Sequence, residues 1–439
     1  MRGTARERLP HGHGRKRRPA PRVWGKAVLA GFLGLAMLGC ASNSGQTAPA
    51  DAAPILAPGA PSQTFAAWVM SFRAQALTHG ISPATYDEAF RGVAINPQII
   101  TSDRNQPEFS QQIWTYLSKA VSDFRVQKGR DQIRQNAALL DAIEQAYGVQ
   151  KEILVAIWGL ESSYGAFIGK INVIEALATL AYQGRRRAFG RRELLAALDI
   201  LERGYASKDQ LKGSWAGAMG HTQFIPSTYL HYAVDYDGDR RRNVWSDLGD
   251  VFASTANYLA QSGWQAGLPW GYEVRLRQGF DYSQADKTIV KSVAQWERLG
   301  VLPVAGASLK GARNQIASLL LPGGHTGPAF LITQNFRTLL RYNNSTAYAL
   351  AAALLADRLH GAGALKGAWP VHEPPLNRKN REDLQRGLNA LGYDAGEVDG
   401  IIGARTRAAL KLFQRDNHLP VDGFPTGTVL TRLRQTLPR

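Results

Sequence analysis

The chain has 439 residues, a formal net charge of +17, 44% hydrophobic and 20% charged residues, and a single cysteine. That length and balance suit two or three folded domains and exclude general disorder, while one cysteine excludes a disulfide scaffold. The basic excess favours an anionic partner: nucleic acid, acidic lipid or cell wall.

Residues 1–40 hold nine Lys/Arg and one acid, Glu7, so +8 of the +17 sits there. The basic stretch runs into an apolar segment, Ala27 to Leu38. A charged head, a short apolar core and a small residue before the cut describe an export signal. The run falls short of the roughly 20 residues that span a membrane. It ends Leu35-Ala36-Met37-Leu38-Gly39-Cys40, which resembles the lipobox of bacterial lipoproteins, with Met37 where that family usually has leucine. The resemblance implies a lipid on Cys40, and Ala41 in the next position implies the periplasmic face of the outer membrane. An ordinary cleaved signal with an unrelated cysteine is the alternative. Residues 41–63, rich in Ala, Pro, Ser and Gly, read as a tether.

From residue 64 to 360 the pattern is mostly helical. Phe65, Trp68, Val69 and Phe72 recur at three- and four-residue steps, as do apolar positions in Asp131–Tyr147 and Ser254–Ser262. Ser345 opens a further helix. Strand-like alternation is best at Tyr272–Gln278, so the expectation is a mainly α domain with one small sheet. Residues 361–376 read as a linker, and 377–436 as a compact closing module.

The segment Ile153 to Gly165 carries the catalytic candidate. Ile153, Ile157 and Leu160 share one helical face, and Glu161 lies beside it at the helix end. No cation lies within seven residues before it or eight after it. A carboxyl group in apolar surroundings loses hydration and its pKa rises, as a general acid at neutral pH requires. A solvated glutamate at a helix end is the bland alternative. Some fifty residues on, Gly213-Ser214-Trp215-Ala216-Gly217-Ala218-Met219-Gly220 lets backbone approach backbone or ligand closely. Ser214, Gln223 and Tyr229 supply polar groups around it; the alternative is a tight turn between packed helices.

Glu161-Ser162-Ser163-Tyr164-Gly165, the Ser214–Gly220 block with Gln223-Phe224-Ile225-Pro226-Ser227, and Arg341-Tyr342-Asn343-Asn344-Ser345 together resemble the membrane-bound lytic murein transglycosylases of the B type. The resemblance covers 64–360. It implies a lysozyme-like helical fold and cleavage of the β-1,4 bond between N-acetylmuramic acid and N-acetylglucosamine, leaving 1,6-anhydromuramyl ends. It implies Glu161 as the single acid/base. By the same resemblance Ser214 bonds the catalytic carboxyl or the sugar's acetamido group, Tyr342 and Asn343 face the glutamate, and Tyr116, Tyr258, Tyr348 and Gln223 line the saccharide groove. Tyrosine suits sugars because its ring covers their apolar faces while its hydroxyl bonds. Core packing is the alternative for each tyrosine.

Asp235-Tyr236-Asp237-Gly238-Asp239, with Asp250 further on, resembles the opening of a calcium loop, although Arg240 takes the sharp-turn position usually given to glycine. An Asp/Arg-paired turn is the alternative. No cofactor is otherwise expected: the histidines show no zinc pairing and no phosphate loop is present. Arg185-Arg186-Arg187 and Arg191-Arg192 could hold carboxylates of stem peptides or form a solvated helix face.

In the closing module Leu384, Leu388, Ala409, Leu410 and Phe413 give two short helices, and Asp399-Gly400 and Asp422-Gly423 mark turns. The series resembles the three-helix peptidoglycan-binding domain of cell-wall hydrolases, which would add a second linked contact with the polymer. The expected partners are glycan strands, the outer membrane through the lipid, and cell-wall synthases. Nucleic acid is excluded by export. A water-using muramidase on the same fold and a noncatalytic wall-binding lipoprotein are the competing readings.

Overall fold

The computed structural model describes residues 63–104 and 112–438. The export segment, Cys40 and the tether up to residue 62 lie outside the described residues. No helix among the described residues is long and apolar enough to cross a membrane.

Helices dominate. The first, Phe65–Thr78, is capped by Thr64 and buries Trp68, Phe72 and Ala76, the face its spacing predicts. Ser345 caps Thr346–His360 through the Tyr348 amide, also as its sequence suggests. The stretch Asp131–Tyr147 differs. It breaks at Asn136 (φ −113°, ψ 23°) into Asp123–Gln135 and Ala137–Tyr147. The Asn136 side chain donates to the Gln132 carbonyl, a local bond that competes with helix continuation.

The sequence points to one small sheet, and the described residues hold two. A two-stranded pair joins β1 (Ile171–Asn172) to β2 (Lys212–Gly213). An antiparallel five-stranded sheet is built from β3 (Gly271–Leu276), β4 (Lys291–Ser292), β5 (Val301–Pro303), β6 (Ile316–Leu320) and β7 (Ala329–Ile332), in the order β4-β6-β7-β3-β5. Of these β3 matches the expected strand. The others are too short to show alternation, and β7, Ala-Phe-Leu-Ile, is buried on both faces, where alternation disappears.

Three cores follow. The largest lies among the helices, with Leu154, Ile157, Phe252 and Phe336 fully buried. A second, around Trp296 and Leu319, sits under the five-stranded sheet. The third belongs to the C-terminal helices Arg378–Ala390, Ala404–Asp416 and Gly427–Thr436, around Leu388, Leu410, Phe413 and Leu433. Two buried glutamines explain that module's Asp-Gly pairs. Gln385 accepts from Gly400 N at 2.7 Å and donates to Asp399 at 2.9 Å; Gln414 does the same with Gly423 and Asp422 at 2.7 and 2.8 Å.

Residues 361–376 hold no helix or strand, yet they are fastened. The Lys366 and Gly367 amides donate to the Glu273 carboxylate of β3 at 2.8 and 2.6 Å. The bundle also touches the sheet region directly. Lys411 reaches the Ala285 carbonyl at 2.9 Å, and His325 pairs with Asp422 at 2.7 Å.

Candidate active site

Glu161 is positioned by the helix Lys151–Ser162, whose residues Ile153 to Gly159 are all buried. Gly159 is required there, because a β-carbon would lie 2.6 Å from the Tyr164 ring. The helix then ends abruptly. Ser163, Tyr164 and Gly165 all adopt positive φ (51°, 60° and 81°), and two of these are not glycine. Such a run persists only where the surroundings over-determine it. Here the Tyr164 ring packs edge-on against Trp158 at 5.5 Å and its hydroxyl donates to the Arg125 carbonyl at 2.7 Å. Ser162 Oγ donates to the His221 carbonyl at 2.7 Å and accepts from Gly165 N at 3.0 Å.

His221 ties this helix end to the glycine-rich segment. Trp158 Nε1 donates to His221 Nδ1 at 2.9 Å with the rings stacked. Burial lowers the histidine's pKa, which keeps Nδ1 free to accept. The glycine-rich segment is itself a tight turn. Ser214 N donates to Ala218 O at 2.8 Å, and Ser214 Oγ accepts from Ala216 N and Ala218 N at 3.3 and 3.1 Å. The Ser214 hydroxyl therefore serves the turn. Gln223, in a left-handed conformation (φ 54°), commits its amide to the Ile168 and Gly220 carbonyls at 3.3 and 2.9 Å.

The tyrosines close in from the other side. Tyr342 ends the helix Gln334–Tyr342 and stacks on Tyr348 with centroids 6.3 Å apart. Both rings feel the Glu161 charge, and Tyr116 acts on Tyr348. The Tyr342 hydroxyl donates to the Thr222 carbonyl. Tyr258 packs edge-on against Tyr342 at 5.1 Å, and its hydroxyl is committed to the Arg341 carbonyl at 2.7 Å. Tyr258 is thus a buried support of the site. Asn343 caps the same helix and is half-buried.

Within this surround the Glu161 carboxyl is raised from 4.5 to about 7, chiefly by burial, with the Tyr348 hydroxyl pulling it back down. No charged side chain contributes to that shift. The side chain keeps some solvent access, so the rise reflects dense packing around an open carboxyl. The buried Tyr348 hydroxyl lies beside the Glu161 carboxyl and favours its ionised form. A carboxyl about half protonated at pH 7, with aromatic rings on one flank and a glycine turn on the other, can protonate a glycosidic oxygen and later accept a proton.

The aspartate loop brings carboxylate oxygens of Asp235, Asp237 and Asp250 within 4.8 Å of one another. Asp239 does not join them; it accepts from Arg241 N. Asp250 is buried, its pKa pushed up to about 6 by that burial, and it accepts from Tyr236 N and Asn243 N at 2.6 and 2.5 Å. Arg240 takes the sharp turn at φ 71°. Among the described residues the Arg240, Arg241 and Arg242 side chains form no ion pair with these aspartates; the Arg240 and Arg241 amides donate instead to Asp235 and Asp239 at 2.9 and 2.7 Å. Three convergent hard oxygen donors fit a calcium ion.

The basic run resolves differently. Arg186 pairs with the buried Asp103 at 3.2 Å, and Arg192 with the buried Glu193 at 3.0 Å. Sequence reasoning missed Trp158, Tyr164 and His221 as positioning residues. Their contacts span as many as 63 positions, and no periodicity signals them.

A family model described as "Transglycosylase SLT domain" matches residues 64–357, and one for a peptidoglycan binding domain matches 377–433. Among curated proteins, the membrane-bound lytic murein transglycosylase B of Escherichia coli is 36% identical over 243 residues, covering 54% of this chain and 64% of its own length. The match thus spans less than two thirds of that relative. SltB3 of Pseudomonas aeruginosa, solved with NAG-anhNAM-pentapeptide and with NAG-NAM-pentapeptide, is 52% identical; it superposes with a TM-score of 0.82 over 85% of this chain and all of its own. An Escherichia coli lytic transglycosylase solved in complex with calcium is 31% identical, with a TM-score of 0.57, covering 66% of this chain and 92% of its own.

Proposed function

The chain belongs to the transglycosylase SLT domain family, and from that premise we propose that it cleaves the β-1,4 bond between N-acetylmuramic acid and N-acetylglucosamine in peptidoglycan without consuming water. The observation that carries this reading is the Glu161 carboxyl, buried beside the stacked Tyr342 and Tyr348 with no charged partner and raised by that burial to about 7.

Glu161 first gives its proton to the glycosidic oxygen, and the bond from that oxygen to the muramyl C1 breaks. The resulting carboxylate then takes the proton of the muramyl C6 hydroxyl, whose oxygen closes on C1. Ordinary glycosidases need a second carboxylate for water or for a covalent intermediate; here the sugar's own hydroxyl replaces water. The proton returns to Glu161, so the cycle balances. Ser214, Gln223, Tyr116 and Asn343 are assigned to the saccharide groove, and Tyr342 and Tyr348 to the carboxyl.

Because the acid form starts the reaction, kcat/KM on short glycans is expected to be level below pH 7 and to fall about tenfold per unit well above it. A profile still level at pH 9 would count against Glu161 as the acid. Tyr348→Phe removes a hydroxyl that lowers the Glu161 pKa. That variant should move the alkaline limb upward by roughly half to one unit, with a reduced plateau.

Asp235, Asp237 and Asp250 would hold a calcium ion that braces the loop and takes no part in the chemistry. Calcium added to chelator-treated protein is expected to raise Tm by roughly 5 °C, and Asp250→Asn should abolish that gain. An unchanged Tm in the wild type would remove the metal from the account. The lipid on Cys40 and the outer-membrane location, both outside the described residues, complete the proposal. Labelled palmitate retained by the wild type and lost in Cys40→Ala tests the anchor.

A further inference from the structure

A sugar strand is gripped by aromatic rings whose faces it can reach. Two of the tyrosines expected in the groove offer little: Tyr258 is 8% exposed and Tyr348 6%. Among the described residues three aromatic side chains are exposed, those of Phe124, Phe167 and Tyr236. Phe124 belongs to the helix Asp123–Gln135 and Tyr236 to the aspartate loop. Phe167, 74% exposed, stands on the short segment between the end of the Glu161 helix and Gly169, which lies against the glycine turn.

Exposure alone says little, since single apolar side chains are common on protein surfaces. What sets Phe167 apart is the backbone beneath it. The left-handed run Ser163–Gly165 turns the chain back, and Phe167 N donates to the Ser162 carbonyl at 2.9 Å. The Phe167 amide therefore lies no more than about 9.5 Å from the Glu161 Cα. Gly165 N is tied to Ser162 Oγ at 3.0 Å. On the far side the Ile168 carbonyl accepts from Gln223 Nε2 at 3.3 Å, and Gly169 sits against the Gly213 backbone. The chain is thus pinned on both sides of Phe167, and little more than the side-chain torsions remains to be ordered by a ligand. Phe167 also packs into none of the three cores. The loop holds a phenyl ring in the open beside the catalytic helix end, where it contributes little to the fold.

We propose that Phe167 is a sugar-binding residue, its ring lying under a pyranose that adjoins the cleaved pair. The inference rests on the proposed cleavage of peptidoglycan. The Glu161 side chain keeps solvent access, and the same turn delivers both residues, so a strand laid over the carboxyl comes within reach of the ring. A phenyl group carries no polar atom. It covers the apolar face of a sugar without reading its hydroxyls, and it strengthens the hold on the strand without touching the reacting atoms.

The test measures kcat and KM on long, peptide-free glycan strands. Phe167→Ala is expected to raise KM about tenfold with kcat kept, as loss of uniform binding requires, and to leave Tm unchanged. Phe167→Trp should restore KM. Phe167→Leu, apolar but without a ring face, should not. Met70→Ala removes a side chain of similar exposure, 76%, from the first helix, and its KM should equal that of the wild type. In the Glu161→Gln background, where cleavage is absent, Phe167→Ala should weaken strand binding by the same factor. A KM unmoved by Phe167→Ala, or Leu serving as well as Phe, overturns the assignment. If vesicles of anionic phospholipid bind the wild type better than Phe167→Ala while the two KM values agree, the ring is a membrane contact and the sugar assignment fails. Failure of the underlying reading looks different, since the wild type would then release nothing from any strand.

Discussion

Glu161→Gln is expected to lower release of muropeptides from sacculi by at least about 10³-fold, with sacculus binding kept. The loss is large because one carboxyl acts twice, as donor to the glycosidic oxygen and as acceptor from the C6 hydroxyl, and an amide does neither. Binding persists because the tyrosines, the glycine turn and the C-terminal bundle are untouched. The same substitution should stabilise the fold at alkaline pH. A carboxyl raised from 4.5 to about 7 binds more protons folded than unfolded, so stability falls as pH rises through that window. The shift corresponds to roughly 3 kcal/mol, and partial exposure reduces it to about 2. The Tm of Glu161→Gln should therefore equal that of the wild type below pH 4.5 and exceed it above pH 7. Undiminished turnover, or a variant less stable at pH 8, would contradict the assignment.

Gly169→Ala is the second large effect, and it acts through structure. Gly169 has φ 86°, and a β-carbon there would lie 2.1 Å from the Gly213 carbonyl carbon and oxygen. Those atoms are backbone and cannot swing aside. The contact clamps the loop after Glu161 onto the start of the Ser214 turn, next to the β1–β2 pair and the Gln223–Ile168 bond. Loss of about 3 kcal/mol of stability is expected, with kcat/KM down about 100-fold as the two halves of the site part. Gly204→Ala is the comparison: φ is 68° but nothing lies within 4 Å, so only backbone strain of about 1 kcal/mol should appear. Equal losses in the two variants would show that the close approach does not matter.

The helix bearing Glu161 was legible because an unbroken apolar run ending at a lone acid can be read locally. So was the glycine turn, whose composition has few other uses. What joins them was not. The Trp158–His221 bond and the Tyr164 clamp pair distant residues of ordinary type. The break at Asn136 lay inside a pattern whose period continues on both sides. Four strands of the larger sheet were too short or too buried to alternate. The aspartates were legible as a set, but which of them converge depended on the helix Leu248–Gln261 delivering Asp250 to the loop. The bundle's attachment to the sheet could not be read at all, since Lys411, His325 and Asp422 stand in unremarkable surroundings.

The central claim is that one protonated glutamate lets the glycan close on itself. Mass spectrometry of fragments released from purified sacculi tests it most directly. The account predicts muropeptides with 1,6-anhydro ends, lighter by one water than their hydrolysed counterparts, and none from Glu161→Gln. Fragments carrying a full water at the muramyl end, or the same fragments from the variant, would contradict it.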